Sequence, residues 1–112
     1  MNGNFDASQT LNADGSVTVR GWICWQTAQD PDPCNISAEI KQTSGPGSPR
    51  AMSQPVQITR GQSKMGDKVP WQVTATPTNG GSLRAGAADA KAWVKTLAGA
   101  NYYDWQASPN LS

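Results

Sequence analysis

The chain has 112 residues, a formal net charge of +1 and no histidine. This length suits one domain with a modest core, and the small charge excludes a strong attraction to nucleic acid or to an anionic membrane surface. Without histidine, the chain lacks the usual general base, the Ser-His-Asp triad and a common zinc ligand. No apolar stretch is long enough for membrane insertion. We therefore expect a single domain over residues 1–112 without catalytic activity, metal ion or other cofactor.

The first regular element follows the turn dipeptide Asp14-Gly15. After this turn, apolar and polar side chains alternate, which is the pattern of a strand with one buried face. Trp22 and Cys24 fall on the outer face of this predicted strand. The side chains predicted to face the core are Val17, Val19, Gly21, Ile23 and Trp25.

Three further segments read as short strands, over residues 35–42, 53–61 and 69–77. Prolines stand near the start of the second and third, where a missing amide hydrogen is tolerated. Glycine- and proline-rich turns separate the segments, as expected for many short strands. The side chains predicted to be carried inward by the first and third segments are Ile36, Ala38, Ile40, Trp71, Val73 and Ala75.

Residues 83–100, "LRAGAADAKAWVKTLAGA", fit two patterns. Alanine favours a helix, and apolar residues recur there at roughly helical spacing. However, Ala88, Ala90, Ala92 and Val94 also alternate with polar or larger side chains, and "NYYDWQA" reads as a return strand. We therefore predict that residues 83–94 are extended. The complete pattern predicts an all-β domain, an antiparallel β-sandwich of about seven strands.

The segments "DGSVTVRGWIC", "ISAEIKQ" and "WQVTATPTNGGSLRAGAADAKAWV" resemble small secreted immunoglobulin-like modules of actinobacteria. This resemblance implies an immunoglobulin-like fold, export from the cell, and a binding or structural role. The chain departs from the pattern at its cysteines, because Trp25 stands where the resemblance would place the first cysteine. The cross-sheet disulfide of those modules is therefore not transferred to this chain.

Cys24 and Cys34 are the only cysteines. A zinc site needs four ligands, a redox pair has Cys-x-x-Cys spacing, and a nucleophilic thiol needs a base, so none of these chemistries fits. A disulfide that closes the loop of residues 25–33 remains, with two buried free thiols as the alternative. A disulfide implies an oxidising compartment. We therefore predict a secreted protein whose signal peptide has been removed.

The outer face of the C-terminal hairpin is the predicted partner-binding surface. It combines aromatic rings with cations, a composition suited to a protein partner that presents an acidic patch. Such a partner would belong to a larger secreted or cell-surface assembly. The alternative is that an outward tryptophan is merely covered by a long side chain. The predicted surface residues are Lys91, Trp93, Lys95, Tyr103 and Trp105.

Two other non-catalytic functions remain open from the sequence. A carbohydrate-binding module would need Trp22, Trp93 or Tyr103 exposed in a row, because sugars stack on aromatic rings. A protease inhibitor would need a rigid exposed loop, either residues 26–33 or the loop around Arg50.

Overall fold

A computed structural model describes residues 1–43, 47–79 and 81–112. Over these residues the chain is all-β, and no helix occurs that could cross a membrane. The domain measures 45 × 26 × 20 Å. Its strands are β1 (Asn2–Phe5), β2 (Ser8–Leu11), β3 (Val17–Cys24), β4 (Cys34–Lys41), β5 (Arg50–Ser53), β6 (Val56–Ile58), β7 (Val69–Pro77), β8 (Gly86–Ala87), β9 (Asp89–Lys95), β10 (Asn101–Ala107) and β11 (Asn110–Leu111).

The strands form a curled sheet, a half-barrel. Their order is β10-β9-β4-β5-β7-β3-β2-β11-β8, while β1 pairs with β3 and β6 pairs with β4. All pairs are antiparallel except β11 and β2. The curl brings β1 beside β10. The inner faces of the long strands therefore surround one core.

The predicted alternation in the long strands is confirmed. The inward side chains of β3, β4 and β7 are all buried, and so is the alanine-rich face of β9. Cross-strand pairs such as Val19–Val73 and Ala38–Ala92 stack these side chains on the same face. Trp25, directly after β3, is 1% exposed and donates its indole N–H to the Pro31 carbonyl at 2.6 Å.

Residues 83–94 contain no helix, as predicted. Extended structure covers β8 and β9, whereas residues 83–85 lie outside any strand. Gly86 has a φ of 120°, a conformation that side-chain-bearing residues rarely adopt, and it lies where this segment turns into β8. Strand number differs from the prediction of about seven: the described residues form eleven strands. The additional ones are short, and three of them, β2, β11 and β8, pair at one end of the sheet order.

The structure differs from the predicted disulfide, because Cys24 and Cys34 are both free and buried. The prediction assumed that the two cysteines end neighbouring strands. Instead, β3 pairs with β1, β2 and β7, whereas β4 pairs with β5, β6 and β9. β3 and β4, although consecutive in the chain, are thus not partners in the sheet, and the alternative of two buried thiols describes this structure.

Candidate functional site

A groove of about 650 Å³ lies on the outer face of β9 and β10, next to β4. Side chains from these three strands line it: Glu39, Lys91, Trp93, Lys95, Asn101, Tyr102, Tyr103 and Asp104. Four of the five residues predicted to bind a partner, all except Trp105, belong to this set. The structure therefore brings most of the predicted surface together around one groove.

The sheet register sets the position of Trp93 in this groove. Trp93 pairs with Ser37 of β4 on one side and with Asp104 of β10 on the other. Ser37 is only 6% exposed although it lies on the outer face. Trp93 itself is half-buried. A large ring beside a small residue leaves an apolar surface that a ligand can cover.

Charged side chains border the aromatic part of the groove. The Arg50 guanidinium lies 3.7 Å from the Glu39 carboxylate, and the Lys91 ammonium lies 3.8 Å from Asp104. Lys95 has no ion-pair partner in the described part of the chain. The groove thus offers one cation whose charge is not balanced by a neighbour.

A second groove of similar volume adjoins the first and shares Glu39 and Lys91 with it. Its walls are mainly polar and include Lys41, Asp89 and Gln106. The outer face is therefore aromatic near Trp93 and polar near Asp89.

Trp105 was wrongly predicted to face outward. It is 8% exposed and packs in an aromatic cluster, with its ring centroid 6.1 Å from that of Phe5 and 6.0 Å from that of Trp71. The cause is a register shift between Asn101 and Tyr103. Because one extra residue in a strand reverses the side of every residue after it, Trp105 lies on the same face as its partner Ala92.

The shift also separates the two tyrosines. Tyr103 pairs with the buried Val94 and is half-buried against Trp105, with ring centroids 5.7 Å apart, although its edge still borders the groove. Tyr102 is the extra residue of the bulge and is 42% exposed. Tyr102 was not among the predicted surface residues because strict alternation placed it inward. The adjacent Tyr-Tyr pair was the sequence signal that one tyrosine of this strand faces outward in either phase.

The loop of residues 26–33 is organised by Asp30 rather than by a disulfide. The Asp30 side chain is 2% exposed, and one of its oxygens accepts hydrogen bonds from the backbone amides of Gln26 and Thr27, at 2.7 and 3.1 Å. The other oxygen accepts one from the Tyr102 hydroxyl at 2.5 Å. The N-terminal ammonium of Met1 lies 3.1 Å from the carboxylate.

These contacts set the protonation of Asp30. Burial alone would raise its pKa, but the hydrogen bonds from Tyr102, from the Gln26 and Thr27 amides and from the N-terminal ammonium outweigh burial and lower the pKa to about 2. Asp30 is therefore ionised at neutral pH, and its oxygens are occupied within the protein.

Trp22 and Arg50 do not extend the groove. The Lys68 ammonium covers Trp22, 4.7 Å from the ring centroid, and Trp22 lies on β3, away from the groove-lining strands. Arg50 lies in β5 and is paired with Glu39, while residues 44–46 of the preceding loop lie outside the described residues. Within the described ranges, no three metal-ligating side chains of the His, Cys, Asp or Glu type cluster together.

Comparison with known proteins identifies no relative: no family model matches the chain, and neither a curated protein nor a solved structure is significantly similar to it.

Proposed function

We propose that this protein is a non-catalytic binding module that holds another protein against the outer face of β4, β9 and β10. The observation that carries the proposal is the groove itself, in which Trp93, Lys91, Lys95 and Tyr103 lie around one volume of about 650 Å³. Tryptophan and tyrosine at the centre of an interface contribute much of the binding free energy, because they remove a large apolar area from water at low entropic cost.

The charges indicate the chemistry of the partner. Glu39 and Lys91 already have neighbours of opposite charge, so Lys95 is the cation available for a carboxylate of the partner. A segment with an apolar or aromatic side chain next to an acidic residue would place the first on Trp93 and the second on Lys95. Such complementarity favours specific association over nonspecific adhesion.

An immunoglobulin-like sandwich and export belong to the same proposal. In that fold the first, second, fifth and fourth strands form one sheet and the remaining three form the other. With the short strands β2, β6, β8 and β11 set aside, the orders β1-β3-β7-β5 and β4-β9-β10 match this arrangement. The pairing of β4 with β5 then joins both halves into the curled sheet. Export, and membership of a secreted or cell-surface assembly, rest on the resemblance to secreted actinobacterial modules.

A carbohydrate ligand is the second candidate, favoured by the mixture of side chains in the groove. Tyr102 and Trp93 could stack on sugar rings, while Asn101 and Asp104 could bond to hydroxyls. Trp22 would not take part, because it is covered by Lys68 on another part of the sheet. An inhibitory loop would be residues 26–33, but of its two carboxylates Asp30 is turned inward, and the exposed Asp32 accepts a hydrogen bond from the Arg60 amide.

The test compares two half-buried tryptophans, of which only Trp93 lines the groove. Wild type, Trp93→Ala and Trp22→Ala are immobilised and exposed to secreted and cell-envelope fractions of the source organism. Parallel samples are treated with protease or with periodate, which destroy protein and glycan partners respectively. Bound partners are identified by mass spectrometry and titrated by calorimetry.

We expect Trp93→Ala to weaken binding of a protease-sensitive partner by about 2 kcal/mol, roughly 30-fold, whereas Trp22→Ala leaves it unchanged. Sensitivity to periodate alone would favour the carbohydrate candidate. Equal binding by wild type and Trp93→Ala would refute the groove as the working surface.

A further inference from the structure

We infer that Asp30 is a positioning residue for the groove: by binding the Tyr102 hydroxyl, the buried carboxylate of Asp30 in the loop of residues 26–33 fixes the aromatic ring that forms one edge of the binding surface. This inference rests on the proposed function and adds to it a residue that does not line the groove. Asp30 is 2% exposed at its side chain, so no ligand reaches it, and its effect on binding passes through Tyr102.

The bulge explains why Tyr102 needs such support. It lies between the paired residues Asn101 and Tyr103, and its own position has no cross-strand partner in the β9–β10 ladder. A residue in a bulge loses the alternation that fixes its neighbours, so its side chain can be directed by a tertiary contact. Here that contact is Asp30, which leaves the ring on the groove edge.

The other contacts of Asp30 make it a rigid anchor. The amides of Gln26 and Thr27 hold one oxygen, and Tyr102 binds the other. A hydrogen bond to a buried ionised carboxylate is stronger than one between neutral groups. The Tyr102 ring is therefore oriented before any ligand arrives, and a partner does not lose affinity by ordering it.

A first experiment tests the Asp30–Tyr102 link without any partner. The hydrogen bond to Asp30 raises the pKa of Tyr102, with smaller contributions from burial and from the negative charge of Asp30. The Tyr102 hydroxyl faces Asp30, which also contacts the N-terminal ammonium; the charged side chains that line the groove with Tyr102 are Glu39, Lys91, Lys95 and Asp104. Alkaline titration of wild type, followed by tyrosinate absorbance, should show one late phase that is absent in Tyr102→Phe.

In Asp30→Asn this late phase should move to lower pH, because the neutral amide no longer stabilises the protonated phenol. An unchanged late phase in Asp30→Asn would overturn the inference, whatever the outcome of the binding experiments.

A second experiment measures affinity for the partner found through Trp93. Tyr102→Phe keeps the ring and removes only the hydroxyl, so we expect a loss of about 3- to 10-fold from the freed ring. Asp14→Asn is the matched control for Asp30→Asn: the Asp14 carboxylate also accepts hydrogen bonds, from Ser16, but does not line the groove, so the binding of this variant should equal wild type. Both substitutions remove the same hydrogen bond, so the double variant Asp30→Asn/Tyr102→Phe should bind the partner no more weakly than the single variant with the lower affinity.

Different results separate this inference from the proposed function. Strictly additive losses in the double variant, or equal losses in Asp30→Asn and Asp14→Asn, would overturn the positioning role while the loss in Trp93→Ala sustains the groove. Conversely, no loss in Trp93→Ala would refute the proposed function, and the titration would still decide the Asp30–Tyr102 link. Urea unfolding of each variant confirms that binding is measured on folded protein.

Discussion

The two faces of the β9–β10 hairpin place the same residue type in opposite environments. Trp93 on β9 is half-buried at the groove, between Ser37 and Asp104, whereas Trp105 on β10 is buried against Phe5 and Trp71. The groove face is bordered by charges, and the core face is not. A single register shift between Asn101 and Tyr103 decides which aromatic rings of β10 lie toward the groove and which lie toward the core. One bulge thus separates residues that pack in the core from residues that line the groove.

The strongest test of this division is Trp105. Its six-membered ring also lies over Gly3, where an added Cβ would approach to 2.9 Å, so the ring fills the space between β1 and β10. We expect Trp105→Ala to lower the free energy of unfolding by about 3–5 kcal/mol, because it leaves a large cavity. Trp93→Ala should lower it by less than about 1 kcal/mol. Urea denaturation followed by circular dichroism measures both.

Trp105→Phe provides the control for the same site. The Trp105 indole N–H is buried without an acceptor among the described residues, so phenylalanine removes an unsatisfied donor while keeping an aromatic ring. The loss should then be smaller, about 1–2 kcal/mol. If Trp105→Ala remained as stable as wild type, Trp105 would belong to the groove face and the division between the faces would fail.

The core face was largely predictable from the sequence, since burial on one side imposes a period of two that β3, β7 and β9 keep without interruption. Val19, Val73 and Ala92 were assigned correctly for this reason. The bulge in β10 was not predictable. "NYYDWQA" carries aromatic residues in both phases, so no periodicity in that segment distinguishes Tyr102 from Tyr103.

Replacement of Asp30 tests how strongly the loop of residues 26–33 is held against β10, on which Tyr102 lies. Its pKa of about 2 in the folded protein lies below the ordinary value of 3.8, so the ionised form stabilises the fold. This stabilisation is complete above about pH 4 and is lost as the pH falls toward about 2; its size is about 2 kcal/mol. The advantage of wild type over Asp30→Asn should therefore be about 2 kcal/mol at pH 7 and shrink below pH 4.

Urea unfolding of both proteins between pH 7 and pH 2 measures this difference. Asp14, whose pKa is also lowered by hydrogen bonds from Ser16, is present in both proteins and cancels. A difference that stayed constant over the whole range would show that Asp30 acts through packing and not through its charge.

The loop was predictable in its position and not in its chemistry. Two prolines and two acidic residues between Trp25 and Cys34 indicated an ordered turn. Elimination of other chemistries then favoured a disulfide. The local sequence does not reveal the sheet order, in which β3 and β4 are not partners, or the contact with Tyr102, which lies 72 residues from Asp30 in the chain. Long-range contacts of this kind leave no local pattern.

The smallest expected effect is that of a reducing agent. Cys34 is completely buried on the core face, and burial, with a further contribution from the charge of Asp32, raises the pKa of its thiol to about 11. The thiolate is therefore scarce at neutral pH, and native protein should react slowly with a thiol reagent. Lysines of the groove face, such as Lys91 with its side chain 45% exposed, should react readily with an amine reagent.

The free energy of unfolding should not change with reductant, whereas loss of a disulfide around this loop would cost about 2–3 kcal/mol. Intact mass spectrometry decides the point, since a native mass two hydrogens below that of the reduced chain would show a bridge and contradict the free thiols.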